Sequence, residues 1–75
     1  MMDIEIELFG QLLPRAQRRQ TLSMERPLSV REVANIIGLK PEEVGMITID
    51  GVLSEMEDPV ESGSRLCFFP HMSGG

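Results

Sequence analysis

From Asp3 to Phe9 the chain alternates strictly, with Ile4, Ile6 and Leu8 on one side and Asp3, Glu5 and Glu7 on the other. Side chains of a strand repeat every two residues, so this segment reads as a half-buried strand with one wet face. Such a strand is stable only when its backbone is paired in a sheet and its apolar face is covered by a second layer. The remaining residues must supply both, and 75 residues leave room for one core and no separate catalytic domain.

They do so in a readable order. Gly10 and Pro14 interrupt the first strand, Arg15, Arg18 and Arg19 make a short basic loop, and Gln20 to Glu25 alternates again through Leu22 and Met24. Ser29 and Glu32 form a capping box, Leu28 and Val33 occupy the staple positions, and Val30, Val33, Ala34 and Ile37 share one helical face. Gly38 stops this helix, which spans about 30–37, and Pro41-Glu42-Glu43-Val44 suggests one more turn. A third strand follows at 46–49. Asp50-Gly51 signals a hairpin into a short strand at Val52 and Leu53. Acidic residues and Pro59 fill a loop, and Glu61-Ser62-Gly63-Ser64 turns the chain into a last strand at 65–69, with Leu66 and Phe68 inward and Cys67 and Phe69 outward. The expected architecture is α+β: a mixed sheet of four to five strands packed on one main helix, as a single domain over 1–75 with a flexible tail at 70–75.

Charge and cysteine content narrow the function. Twelve acidic residues against seven basic ones give a net charge of −5, which opposes binding to nucleic-acid phosphates and favours a basic partner surface. Cys67 is the only cysteine, so no disulfide can form within the chain and a reducing cytoplasm is the expected compartment. The opening Met1-Met2-Asp3-Ile4-Glu5 is acidic where a secretory signal is basic and then apolar. No apolar run approaches the length of a membrane span.

The chain closes on Gly74-Gly75. Two residues without side chains at that position point to the terminal carboxylate as the working group, because a Cβ would obstruct both a narrow channel and the approach to the carbonyl. The carboxylate, with a pKa of about 3.3–3.7, is ionised at neutral pH and a poor electrophile until activated. The six residues from Pro70 to Gly75 reach about 20 Å when extended, long enough to enter a partner's buried site. Pro70 fixes φ at the base of this tail and reduces the entropy lost when it docks.

Order and motifs together resemble the ubiquitin-like β-grasp fold, and within it the sulfur-carrier branch that contains the small subunit of molybdopterin synthase and the thiamine-biosynthesis sulfur carrier. The residues that carry the resemblance are Glu7-Leu8-Phe9-Gly10, Ser29-Val30-Arg31-Glu32-Val33, Ile49-Asp50-Gly51, Glu61-Ser62-Gly63-Ser64-Arg65-Leu66 and Phe69-Pro70-His71-Met72-Ser73-Gly74-Gly75. The proline after the last strand and the Ser-Gly-Gly end look more like the molybdopterin synthase subunit. Asp50, Ser64 and His71 depart from the family's commoner residues, and Met72-Ser73 departs from the usual ubiquitin ending. The resemblance implies a carrier, not a stand-alone enzyme. A ubiquitin-activating-type adenylating enzyme would use ATP on the Gly75 carboxylate, with Gly74 giving steric clearance; a sulfur donor would then form the thiocarboxylate, and a large synthase subunit would use it. The resemblance implies no cofactor bound by the chain itself, ATP being used by the activating partner. The same tail also fits a thiamine carrier or a ubiquitin-like modifier forming isopeptide bonds, in which case Lys40, the only lysine, is the sole side-chain branching point.

Around the tail, Phe69, Pro70, His71, Met72 and Ser73 are the candidate partner contacts. Phe69 is either such a contact or packing beneath the loop after the first strand. Met72 is either an anchor in an apolar groove or a free methionine. Cys67 reads as a small hydrophobe, since no histidine–carboxylate pair accompanies it. His71 is a single histidine with no neighbouring ligand residue, the acids at 55–61 lack a calcium-loop pattern, and no metal site is expected. Arg15, Arg18 and Arg19 read first as a solvated loop and second as an acidic-partner contact.

Overall fold

The computed structural model describes residues 2–71. The elements run β1 (Met2–Leu8), β2 (Arg19–Met24), β3 (Leu28–Ser29), α1 (Val30–Ile37), a 3₁₀ turn (Pro41–Glu43), β4 (Val44–Ile49), β5 (Val52–Ser54), β6 (Pro59–Val60) and β7 (Arg65–Pro70). Five strands form one mixed sheet in the order β2-β1-β7-β4-β5. Its central pair, β1 and β7, is parallel, with Ile6 beside Leu66 and Leu8 beside Phe68; the other pairs are antiparallel.

The alternation in β1 has the expected consequence. Ile4, Ile6 and Leu8 are buried, and with Leu66 and Phe68 they meet Val30, Val33 and Ala34 of α1 in one core on one face of the sheet. The helix occupies the range its capping box marked. Ser29 Oγ accepts from the Glu32 amide, and Glu32 Oε1 accepts from the Ser29 amide at 2.9 Å. The first two helical amides, Val30 and Arg31, donate to the carbonyls of Asp58 and Met56 at 3.0 and 2.9 Å. The acidic loop thus satisfies the donors that a helix N-terminus leaves open. An Arg31–Glu57 ion pair of 3.0 Å ties its side chains to the same helix.

Asp50 and Gly51 both have positive φ, 51° and 81°, which joins Ile49 to Val52 by the two-residue turn that matches the twist of a hairpin.

Beyond one-residue shifts at the ends of β1, β2 and β5, four points differ from the sequence expectation. β3 and β6, which pair Leu28 with Val60, were not foreseen, because a two-residue strand carries no readable periodicity. β4 starts at Val44, two residues early, with a register shift between Val44 and Met46. Pro70 belongs to β7, opposite Val44, where the sequence assigned it to the tail. Arg18 is not a solvated loop residue: its guanidinium donates to the carbonyls of Gly10, Leu12, Leu13 and Ala16. It organises from within the loop that its charge was expected to advertise. Among the described residues, no helix is long and apolar enough to cross a membrane.

Candidate functional site

With α1 on one face, the opposite face of the sheet is free of any covering layer among the described residues. The strand register sorts it into rows. Thr21, Glu5 and Arg65 form the first; Arg19, Glu7, Cys67, Thr48 and Leu53 form the second; Phe69 and Met46 lie in the third. Glu7 stands between Arg19 and Arg65, at 3.5 and 4.0 Å. Polarity therefore falls along this face, from ion pairs at the start of β7 to apolar side chains at its end.

The apolar end is built by two elements meeting at the tip of the sheet. Phe9, just past β1, stacks on Phe69 with centroids 4.5 Å apart and planes 9° from parallel. Beside them a shallow groove of about 640 Å³ is lined by Gly45, Met46, Leu53, Phe69, Pro70 and His71. Met46 and Leu53 are 42% and 71% exposed. Large apolar groups left in water next to each other mark an interaction surface, because singly scattered ones are the ordinary case on a monomer.

The groove ends where the chain leaves the sheet. Pro70 closes β7 between Gly10 and Gly45, and His71 Nε2 lies 2.7 Å from the carbonyl oxygen of Glu42. A carbonyl only accepts, so this ring nitrogen carries the proton and donates. His71 is thus exposed but tethered to the 3₁₀ turn. Phe69 takes the packing role, stacking on the residue after β1, and its ring also lines the groove. Cys67, although on the outward face, is 7% exposed between Glu7 and Thr48, as a small structural hydrophobe is. Met72, Ser73, Gly74 and Gly75 lie outside the described residues.

Sequence reasoning did not anticipate Phe9, Gly45, Met46 and Leu53 as parts of this site. Met46 and Leu53 alternate like ordinary strand residues, and only the sheet order shows that their face is uncovered. Among the described residues, no three His, Cys, Asp or Glu side chains converge as metal ligands would. What the described residues bring together at this end of the sheet is an apolar surface beside the end of β7.

No protein-family model and no curated protein sequence matches the chain. Solved structures do. A crystal structure of small archaeal modifier protein 1 from Haloferax volcanii superposes with a TM-score of 0.77 at 16% identity, covering 96% of this chain and 100% of that one. The fold is the ubiquitin-like β-grasp. A second β-grasp neighbour comes from the protein–protein complex of subunits 1 and 2 of molybdopterin-converting factor from Helicobacter pylori, with a TM-score of 0.64, 19% identity, and coverage of 99% and 100%.

Proposed function

We propose that this β-grasp chain is a sulfur carrier whose Gly75 carboxylate is adenylated by a partner and converted to a thiocarboxylate, acting as the small subunit of a molybdopterin synthase in the cytoplasm. The observation that carries the reading is the convergence at one tip of the sheet. The uncovered apolar groove at Phe69, Met46 and Leu53 adjoins the strand end from which the sequence runs on to Gly74-Gly75. Docking on that groove would bring the following residues to an activating site. The likeness to a chain of a two-subunit molybdopterin-converting factor supports a large-subunit partner.

The chemistry belongs to the partners, and the carrier supplies the carboxylate. One carboxylate oxygen attacks the α-phosphorus of ATP and pyrophosphate leaves, giving an acyl-adenylate. The terminal sulfur of a persulfide donor then attacks the acyl carbon and AMP departs. A second thiol attacks the donor's inner sulfur, forming a disulfide with the donor and releasing the thiocarboxylate. Glycine at the last two positions leaves both attacks unobstructed. The test is partner-dependent release of pyrophosphate from ATP. It requires Gly75 as the end residue, and appending one alanine after Gly75 abolishes the thiocarboxylate.

A thiamine-pathway carrier uses the same steps and differs only in the acceptor, so the biosynthetic defect of a deletion strain separates the two. The likeness to a protein named as a modifier favours one further reading, isopeptide formation on target lysines. Pull-down under denaturing conditions decides between them: adducts that vanish on deletion of Gly75 support the modifier, and their absence alongside thiocarboxylate supports the carrier.

A further inference from the structure

Two segments, the loop after β1 and the run from the 3₁₀ turn into β4, converge on the last two described residues. A Cβ built on Gly45 would lie 2.6 Å from the Pro70 carbonyl oxygen, 2.7 Å from His71 Cα and 2.9 Å from His71 N, all backbone atoms that cannot rotate away. A Cβ on Gly10 would lie 2.5 Å from Pro70 Cγ, and Gly10 has a φ of +64°, so any side chain there is both crowded and strained. Three residues before Gly45, the Glu42 carbonyl accepts from His71 Nε2 at 2.7 Å. Gly10 is itself held, since Arg18 donates to its carbonyl at 3.0 Å and to those of Leu12, Leu13 and Ala16.

A strand that merely ended could be followed by a chain leaving in any direction. Here the Pro70 ring lies against Gly10, the Pro70–His71 peptide lies against Gly45, and the His71 ring is bonded to the Glu42 carbonyl. Gly45 sits at the register shift of β4, where the extra residue lies against Pro70 and His71. We propose that Gly10, Gly45 and the Glu42 carbonyl form a collar that sets the direction in which the chain leaves the sheet, with Arg18 as its brace. Gly10 and Gly45 are then positioning residues for the chemistry at Gly75, an assignment that rests on the carrier reading above. The collar lies at one end of the docking groove and contributes aim, whereas Phe69, Met46 and Leu53 contribute contact.

The test uses full-length protein as wild type, Gly45→Ala and Pro70→Ala, with thermal melts for each. Partner-dependent pyrophosphate release is followed at saturating ATP while the carrier concentration is varied. The collar predicts kcat lower by about 10- to 100-fold in Gly45→Ala, as expected for a misplacement on the order of 1 Å, with KM within about threefold of wild type. Pro70→Ala, which keeps the strand but removes the gripped ring, shows the same split to a smaller degree and decides the question if Gly45→Ala does not fold. A second readout is independent of any partner. The backbone order parameter at His71 is near 0.85 in wild type and falls below about 0.6 in Pro70→Ala. Unchanged kcat in folded variants, or a rise in KM alone, overturns the collar. Absence of pyrophosphate release by wild type with a competent partner defeats the carrier reading instead, and the order parameter then decides whether the collar grips.

Discussion

Phe68 and Phe69 are neighbours on β7 with opposite fates, and exchanging each for alanine measures the two faces of the sheet separately. Phe68 has no exposed surface and touches the core between β1, β4 and α1. Its truncation removes a buried ring and leaves a cavity, at a cost of about 3–5 kcal/mol. For a small domain that is a large share of a total of about 5–15 kcal/mol. Phe69 is half-buried, and its main intramolecular partner is the Phe9 ring at 4.5 Å. Stacking contributes about 0.5–1.5 kcal/mol, and with the partial burial the loss on Phe69→Ala is about 1–2 kcal/mol. At about 4–8 °C per kcal/mol for a domain of this size, a mid-range difference of about 2.5 kcal/mol separates the two midpoints by roughly 10–20 °C. Far-UV circular dichroism melts of both variants beside wild type give the comparison. Equal losses, or a larger loss for Phe69→Ala, would refute the claim that β7 presents one face to the core and one to a docking groove.

Three other perturbations address other parts of the structure. Leu53→Glu, on the exposed end of the groove, shifts stability by no more than about 0.5 kcal/mol but weakens binding to the adenylating partner at least tenfold in a calorimetric titration. Gly51→Ala meets no atom within 4 Å yet must adopt a φ of +81°, so it costs about 1–2 kcal/mol in a denaturant titration, a loss of conformational origin alone. The Glu32 carboxyl is held below its ordinary range by the hydrogen bond from Arg26 and next by that from the Ser29 amide. A lowered folded value means the contribution is complete above the ordinary glutamate pKa of about 4.3 and is lost as pH falls through the folded value. Glu32→Gln keeps the capping geometry but not the ion pair. Its stability deficit against wild type, followed by chemical denaturation, should therefore hold constant above about pH 5 and close below about pH 4.

Much of the fold was legible because its signals are local. The alternation of β1, the Ser29–Glu32 box and the Asp50-Gly51 turn each specify a conformation through residues within a few positions of one another. The site was legible only where it lay in the same strand, as with Phe69 and Pro70. Met46 and Leu53 join it through the order β7-β4-β5, which depends on pairings between distant segments. Gly45 offers no sequence signal of its own: its role arises from how closely Pro70 and His71 pass, a tertiary distance that no period encodes. Arg18 misled for the opposite reason, since its charge suggests solvent while four loop carbonyls enclose it.

The central claim is that the Gly75 carboxylate is the group on which partners act. Intact mass spectrometry of the chain after incubation with a competent adenylating enzyme, ATP and a persulfide donor tests it most directly. The expected result is a mass gain equal to replacing one oxygen by one sulfur, located by fragmentation at Gly75 and absent when ATP is withheld. An unchanged mass under conditions in which the same enzyme and donor convert their own known carrier would contradict it.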